Sequence, residues 1–183
     1  RKNGIELIVL DRRIDFENNQ ELLEEVMACK HLAKDGRFYP IGRLASIETI
    51  NVLYDRNKTY EKIVNRVKSH PQELFENWYN SEISQAVDEE DLSRAALRHE
   101  VLFYHQVVEE FLDHFLQALY AKNLCYFPSR KRTQKAISEF NKKPDRCYER
   151  LMQIVELGVK ESTIDQSIEE LRKICEELKE IAW

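Results

Sequence analysis

The sequence predicts a mainly α-helical protein, a helical bundle preceded by a small α/β remnant of two strands and two helices. Three observations lead there. Glycine and proline are scarce, 4 of each in 183 residues, so little punctuates the longer segments. Beyond residue 70 the apolar residues recur every three or four positions, the period of a helix face. Before it, two short β-branched runs alternate with helical patterns, the order of an α/β sheet edge. The change of period divides the chain into residues 1–69, an α/β part, and residues 70–183, the bundle.

The first strand is predicted over residues 4–10, where Ile5, Leu7, Ile8, Val9 and Leu10 follow Gly4 and Asp11 closes the run. Residues 19–34 carry Leu22, Leu23, Val26, Met27 and Leu32 at helical spacing, with Gly36 as the stop. A second strand is predicted over residues 46–54, from Ile47, Thr49, Ile50, Val52, Leu53 and Tyr54, and Asp55-Arg56-Asn57-Lys58 supplies turn chemistry before the second helix. Pro71 then opens a helix through Leu74, Phe75, Trp78 and Tyr79. Residues 91–123 read as one long central helix, its stripe made by Leu97, Val101, Val108, Leu112, Phe115 and Leu119. Shorter helices follow over 130–141, 144–159 and 163–181, the last with Ser162 and Thr163 as capping residues before Ile164, Ile168, Leu171, Ile174 and Leu178.

Composition narrows the function classes. A formal charge of -5 argues against a general nucleic-acid coat, which needs a cationic surface, so nucleic acid is not the expected partner. Cys29, Cys125, Cys147 and Cys175 lie far apart without CxxC spacing and read as reduced thiols. No apolar run approaches the ~18 residues of a membrane span and no secretory leader opens the chain, which reads as soluble and cytoplasmic. Arg1 stands where Met would, almost directly before an apolar run, which suggests a fragment of a longer protein. The five histidines form no HxxxH or HExxH pair, and the glycines form no phosphate loop.

Two constellations remain. Arg94, Arg98, His105 and Glu109, separated by 4, 7 and 4 residues, share a stripe if residues 91–123 are one helix. They are either ordinary i,i+4 pairs or a half-buried set in which Glu109 acts as a base and the arginines meet an anion. The second is the end of that helix, where Lys122, Arg130, Lys131 and Arg132 flank Tyr126 and Phe127. Cations beside an aromatic platform suit a phosphate and a base. A plain helix-to-helix corner, with the aromatics inside and the cations solvated, accounts for the same residues.

Residues 112–132, with Leu119-Tyr120-Ala121-Lys122-Asn123 leading to Tyr126-Phe127-Pro128-Ser129-Arg130-Lys131, resemble the helical domain of nucleotidyltransferase-like proteins of the polymerase-β-type superfamily. Residues 4–11 are similar to a later strand of its catalytic domain and residues 47–55 to the strand that ends in Leu-Tyr-Asp before the helical domain. The resemblance implies transfer of a nucleoside monophosphate from a nucleotide triphosphate, with Mg²⁺, to an unknown acceptor. It implies that Lys131 meets the triphosphate and that Asn123, Tyr126, Arg130 and Arg98 line the nucleotide or acceptor site, while Glu109 deprotonates the acceptor. Glu6, with Asp11 as the weaker match, corresponds to a carboxylate that serves catalysis and holds the metal. The family's Gly-Ser turn and Asp-x-Asp pair are not in this sequence. The chain is therefore expected to be inactive alone and to need a missing N-terminal catalytic domain.

Two other readings compete. Arg94-x4-His99 and Arg98-x6-His105 both fit the Arg-x4-6-His pattern of HEPN-type helical ribonucleases and toxin partners. A non-catalytic interaction module needs only an apolar bundle margin to dock.

Overall fold

The computed structural model describes residues 20–30 and 39–183. The chain divides into two compact units, Arg1–Ser69 and His70–Trp183. Among the described residues every regular element is a helix, so the mainly α class holds. None of these helices is long and apolar enough to cross a membrane.

In the first unit α1 (Gln20–Met27), α2 (Pro40–Glu48) and α3 (Thr59–Lys68) bring together Leu23, Val26, Ile41, Leu44, Ile63 and Val67, all buried. The strand expected over residues 4–10 lies outside the described residues. α1 is shorter than the expected 19–34, since Cys29 at φ 56° takes the chain out of the helix, and Gly36 lies outside the described residues.

The strand expected over residues 46–54 is not there. Pro40 stands at the first helical position with its φ already set, and Ile41, Leu44 and Ile47 then follow at a spacing of three, so the run turns as a helix. After Thr49 the chain is irregular, and Val52, Leu53 and Tyr54 are exposed. A β-rich composition stabilises a strand only through neighbours to pack and pair with. The turn expected at Asp55-Arg56-Asn57-Lys58 is there, closed by the Lys58 amide on the Asp55 carbonyl at 3.3 Å, and the Asp55 carboxylate also accepts from the amides of Thr59 and Glu61 in the first turn of α3 at 3.0 and 2.9 Å.

The second unit has α6 (Val101–Lys122) at its centre, packed against α4 (Gln72–Gln85), α5 (Glu89–Arg98), α8 (Cys147–Leu157) and α9 (Ile164–Glu180), with α7 (Thr133–Glu139) against α8. The single helix expected over residues 91–123 is two. It breaks at His99, φ 49°, whose amide closes α5 on the carbonyl of Ala95. The reason is a change of apolar register. α5 buries Leu92 and Ala95, while α6 buries Tyr104, Val107, Val108 and Phe111. At about 100° per residue an unbroken helix would turn Ala95 to the side opposite Tyr104. The break lets both faces reach the core, and leaves Leu97 and Leu102 exposed on either side of it.

Asp88 caps α5 by accepting from the amides of Glu90 and Asp91. The cap expected from Ser162 and Thr163 has another form: a 3-10 turn (Glu161–Thr163) precedes α9, and the Thr163 hydroxyl donates to the Leu157 carbonyl, tying α9 to the end of α8. Deeper in the bundle the Tyr104 hydroxyl donates to Ser167 Oγ at 2.7 Å, and Ser167 donates to the Ile154 carbonyl at 2.6 Å. All three are buried, so one chain of hydrogen bonds joins α6, α9 and α8.

Candidate functional site

The corner after α6 holds most of the residues singled out from the sequence. Past the last residue of α6, Lys122, and its C-cap, Asn123, the chain is turned away by Leu124, φ 54°, with the amide of Cys125 donating back to the Tyr120 carbonyl at 3.0 Å. A left-handed residue there is a common helix stop, though glycine usually supplies it. Asn123, at the C-cap, spends its whole amide internally: Nδ2 donates to the carbonyls of Leu119 and Lys142 at 2.9 and 2.8 Å, and Oδ1 accepts from the Lys142 amide at 3.0 Å. It fastens the loop after α7 to the end of α6.

Tyr126 is 3% exposed and packs against Phe75, with ring centroids 5.1 Å apart, and edge-on against His70 at 5.4 Å. Phe127 meets Tyr120 at 5.0 Å. These rings face inward, which is the corner arrangement anticipated beside the aromatic-platform one.

Arg130 folds back along α6. Nε donates to Asp113 Oδ1 at 2.8 Å, Nη1 to Glu109 Oε1 at 2.6 Å, and Nη2 to the Glu109 carbonyl at 2.8 Å and to Asp113. Burial works against the guanidinium's charge, but the bonds to Glu109 and Asp113 outweigh it and hold Arg130 above the ordinary arginine value. Two of the predicted residues, Glu109 and Arg130, are therefore brought together as partners of each other. Lys131 and its neighbour Arg132 are exposed.

The other predicted residues are scattered. Arg98 is exposed near the end of α5, its guanidinium 5.8 Å from the Phe103 ring centroid. With the break at His99, the stripe Arg94, Arg98, His105, Glu109 does not form. Arg94 pairs with Glu90 and Asp91, and His99 with Asp165 at 3.2 Å. Glu6 and Asp11, expected to serve the metal, lie outside the described residues. Among those described, no three His, Cys, Asp or Glu side chains gather as a metal ion would need.

A second site had no signal in the sequence. Glu82 of α4 is 5% exposed, and its carboxylate meets His114 Nδ1 at 2.7 Å and Gln117 Nε2 at 3.3 Å. His114 lines a cleft of about 430 Å³ with Ser84, Leu92, Val107, Glu110 and Phe111. A buried carboxylate on Nδ1 fixes the ring and leaves Nε2 as its other polar atom. The 32-residue separation of the pair hides it from any local pattern.

Comparison with protein-family models, with curated proteins and with solved structures gave no match, so the functional reading rests on the residues themselves.

Proposed function

We propose that residues 70–183 are the substrate-positioning helical domain of a nucleotidyltransferase-like protein. Lys131 contacts the triphosphate, and the metal-binding carboxylates belong to a catalytic domain N-terminal to it. One observation carries this reading: the corner is braced from inside by Asn123, Tyr126 and Arg130, while Lys131 and Arg132 stand exposed at its tip. Cations on a fixed backbone lose less conformational freedom when they bind a phosphate than cations on a loose loop. Asn123, Tyr126 and Arg130 thus serve by holding the corner. Glu109, ion-paired to Arg130, becomes available to an acceptor hydroxyl only as that pair opens.

Calorimetric titration with ATP and Mg²⁺ tests the proposal, on the chain and on the longer protein that the reading requires. Lys131→Ala removes one charge-assisted phosphate contact, and the affinity is expected to fall about tenfold. Equal affinity of the variant and the parent chain would remove Lys131 from the site. A parent gene without a Gly-Ser turn and an Asp-x-Asp pair upstream of Arg1 would remove the family reading.

A further inference from the structure

Lys122 is the last residue of α6, and it is 2% exposed. Its Nζ lies 4.4 Å from the ring centroid of Tyr79 and 4.6 Å from that of Trp183. Lys142 brings a second ammonium to the same indole, 5.8 Å from its centroid. That approach is built in, because Asn123 takes both backbone hydrogen bonds of Lys142. Tyr79 and Trp183 meet edge-on at 5.3 Å, and Trp183 remains 40% exposed.

Among the described residues neither ammonium has a carboxylate or carbonyl partner. The aromatic faces attract each cation, but more weakly than water solvates an ammonium, so the rings offset only part of the cost of burying Lys122. The α6 dipole favours a cation at Lys122 but gives no reason for a second one beside it. Two cations gathered at one indole, with no carboxylate partner among the described residues, are a place for an anion. A carboxylate would neutralise one of them, whereas a phosphate with two or more charges and several acceptor oxygens answers both.

We propose that Lys122 and Lys142, with the rings of Tyr79 and Trp183, form a binding site for a phosphate-bearing anion, seated between the two ammonium groups under the indole. The Lys122 ammonium is held below the ordinary lysine value by burial and by Lys142, and a bound phosphate reverses the second of these effects. The site stands apart from the Lys131 reading, since it uses neither Lys131 nor a metal.

Inorganic pyrophosphate is the probe, followed by calorimetry and by the fluorescence of Trp183, with Trp183→Phe to assign the signal. Pyrophosphate is expected to bind and to perturb the indole, and Lys122→Met and Lys142→Gln are each expected to weaken binding about tenfold. Lys142→Gln changes a side chain on a loop and keeps the test valid if Lys122→Met fails to fold. ATP and inorganic phosphate identify the source. In the Lys131→Ala background and without Mg²⁺, tighter binding of ATP than of pyrophosphate, together with a change in Trp183 fluorescence, marks a nucleotide whose base meets Trp183, and equal binding marks the phosphate group alone. Unchanged affinity in Lys142→Gln, or no binding of any of the three, overturns the proposal.

Discussion

Replacing Arg130 by alanine separates a brace from a ligand contact. The guanidinium makes a bond to Asp113 at 2.8 Å, one to Glu109 at 2.6 Å and one to the Glu109 carbonyl at 2.8 Å. The Asp113 carboxylate is 18% exposed and the Glu109 carboxylate 67%, so the two arms differ in value. A charge-assisted bond sheltered from water contributes about 1.5–3 kcal/mol. The exposed Glu109 pair contributes about 0.2–1 kcal/mol. Arg130→Ala should therefore destabilise the helical unit by about 2–3 kcal/mol, a fall of roughly 8–12 °C in its melting temperature. Arg130→Lys keeps the charge but loses the planar fork and should recover about half of that. The arms are resolved by double-mutant cycles: the Arg130/Asp113 coupling should be about 1–2 kcal/mol and the Arg130/Glu109 coupling below about 0.5 kcal/mol. Thermal melts by circular dichroism give all of these. If Arg130→Ala melts within about a degree of the parent while its affinity for ATP collapses, the brace is refuted and Arg130 is a direct ligand contact.

Three further outcomes follow from the bundle's interior. A Cβ at Gly158 would stand 2.9 Å from Tyr104 Cε1, and Tyr104 is pinned by Ser167, so Gly158→Ala should cost about 1–3 kcal/mol in urea unfolding, and an unchanged midpoint would contradict this packing. Burial pushes the phenols of Tyr79, Tyr104 and Tyr120 up to about 12, while an unfolded chain ionises them near 10. Between those values the folded state keeps protons that the unfolded state has lost. The stabilisation is whole below pH 10 and declines as pH rises toward 12; if Tyr79→Phe, Tyr104→Phe or Tyr120→Phe removes tyrosinate absorbance that appears near 10 in the folded chain, the reasoning is refuted. Burial likewise pushes the Cys147 and Cys175 thiols up to about 12 and 11, so a disulfide reagent should modify the half-buried Cys29 and Cys125 first, and four equal rates would falsify the assignment.

What was legible in the sequence is what depends on one helix at a time. Ile164, Ile168, Leu171, Ile174 and Leu178 recur at helical spacing and are all buried along α9, because a repeated period decides which face of an element turns inward. The break at His99 was not legible, since residues on both sides favour helix and only the packing of two faces against α4, α8 and α9 makes one straight helix untenable. Residues 46–54 failed as a strand for the complementary reason, a β-rich composition with no strand among the described residues to pair with. In the candidate site the same division appears. The sequence marks the corner at residues 121–132 by its cations and aromatics, and it even holds Glu109 and Asp113 one helical turn apart. That Arg130 would fold back to close on both of them is settled by tertiary structure, as is the meeting of Glu82 with His114. Asn123 is the sharpest case. A short polar residue before Tyr126-Phe127-Pro128 reads equally well as a substrate contact or as a cap, and its chemistry is the same in both. Its three bonds go to Leu119 and Lys142, and through them it holds the backbone from which Lys142 reaches the Trp183 ring that Lys122 also meets. A residue singled out for touching a ligand is, in this fold, fully engaged in placing the backbone that carries Lys142.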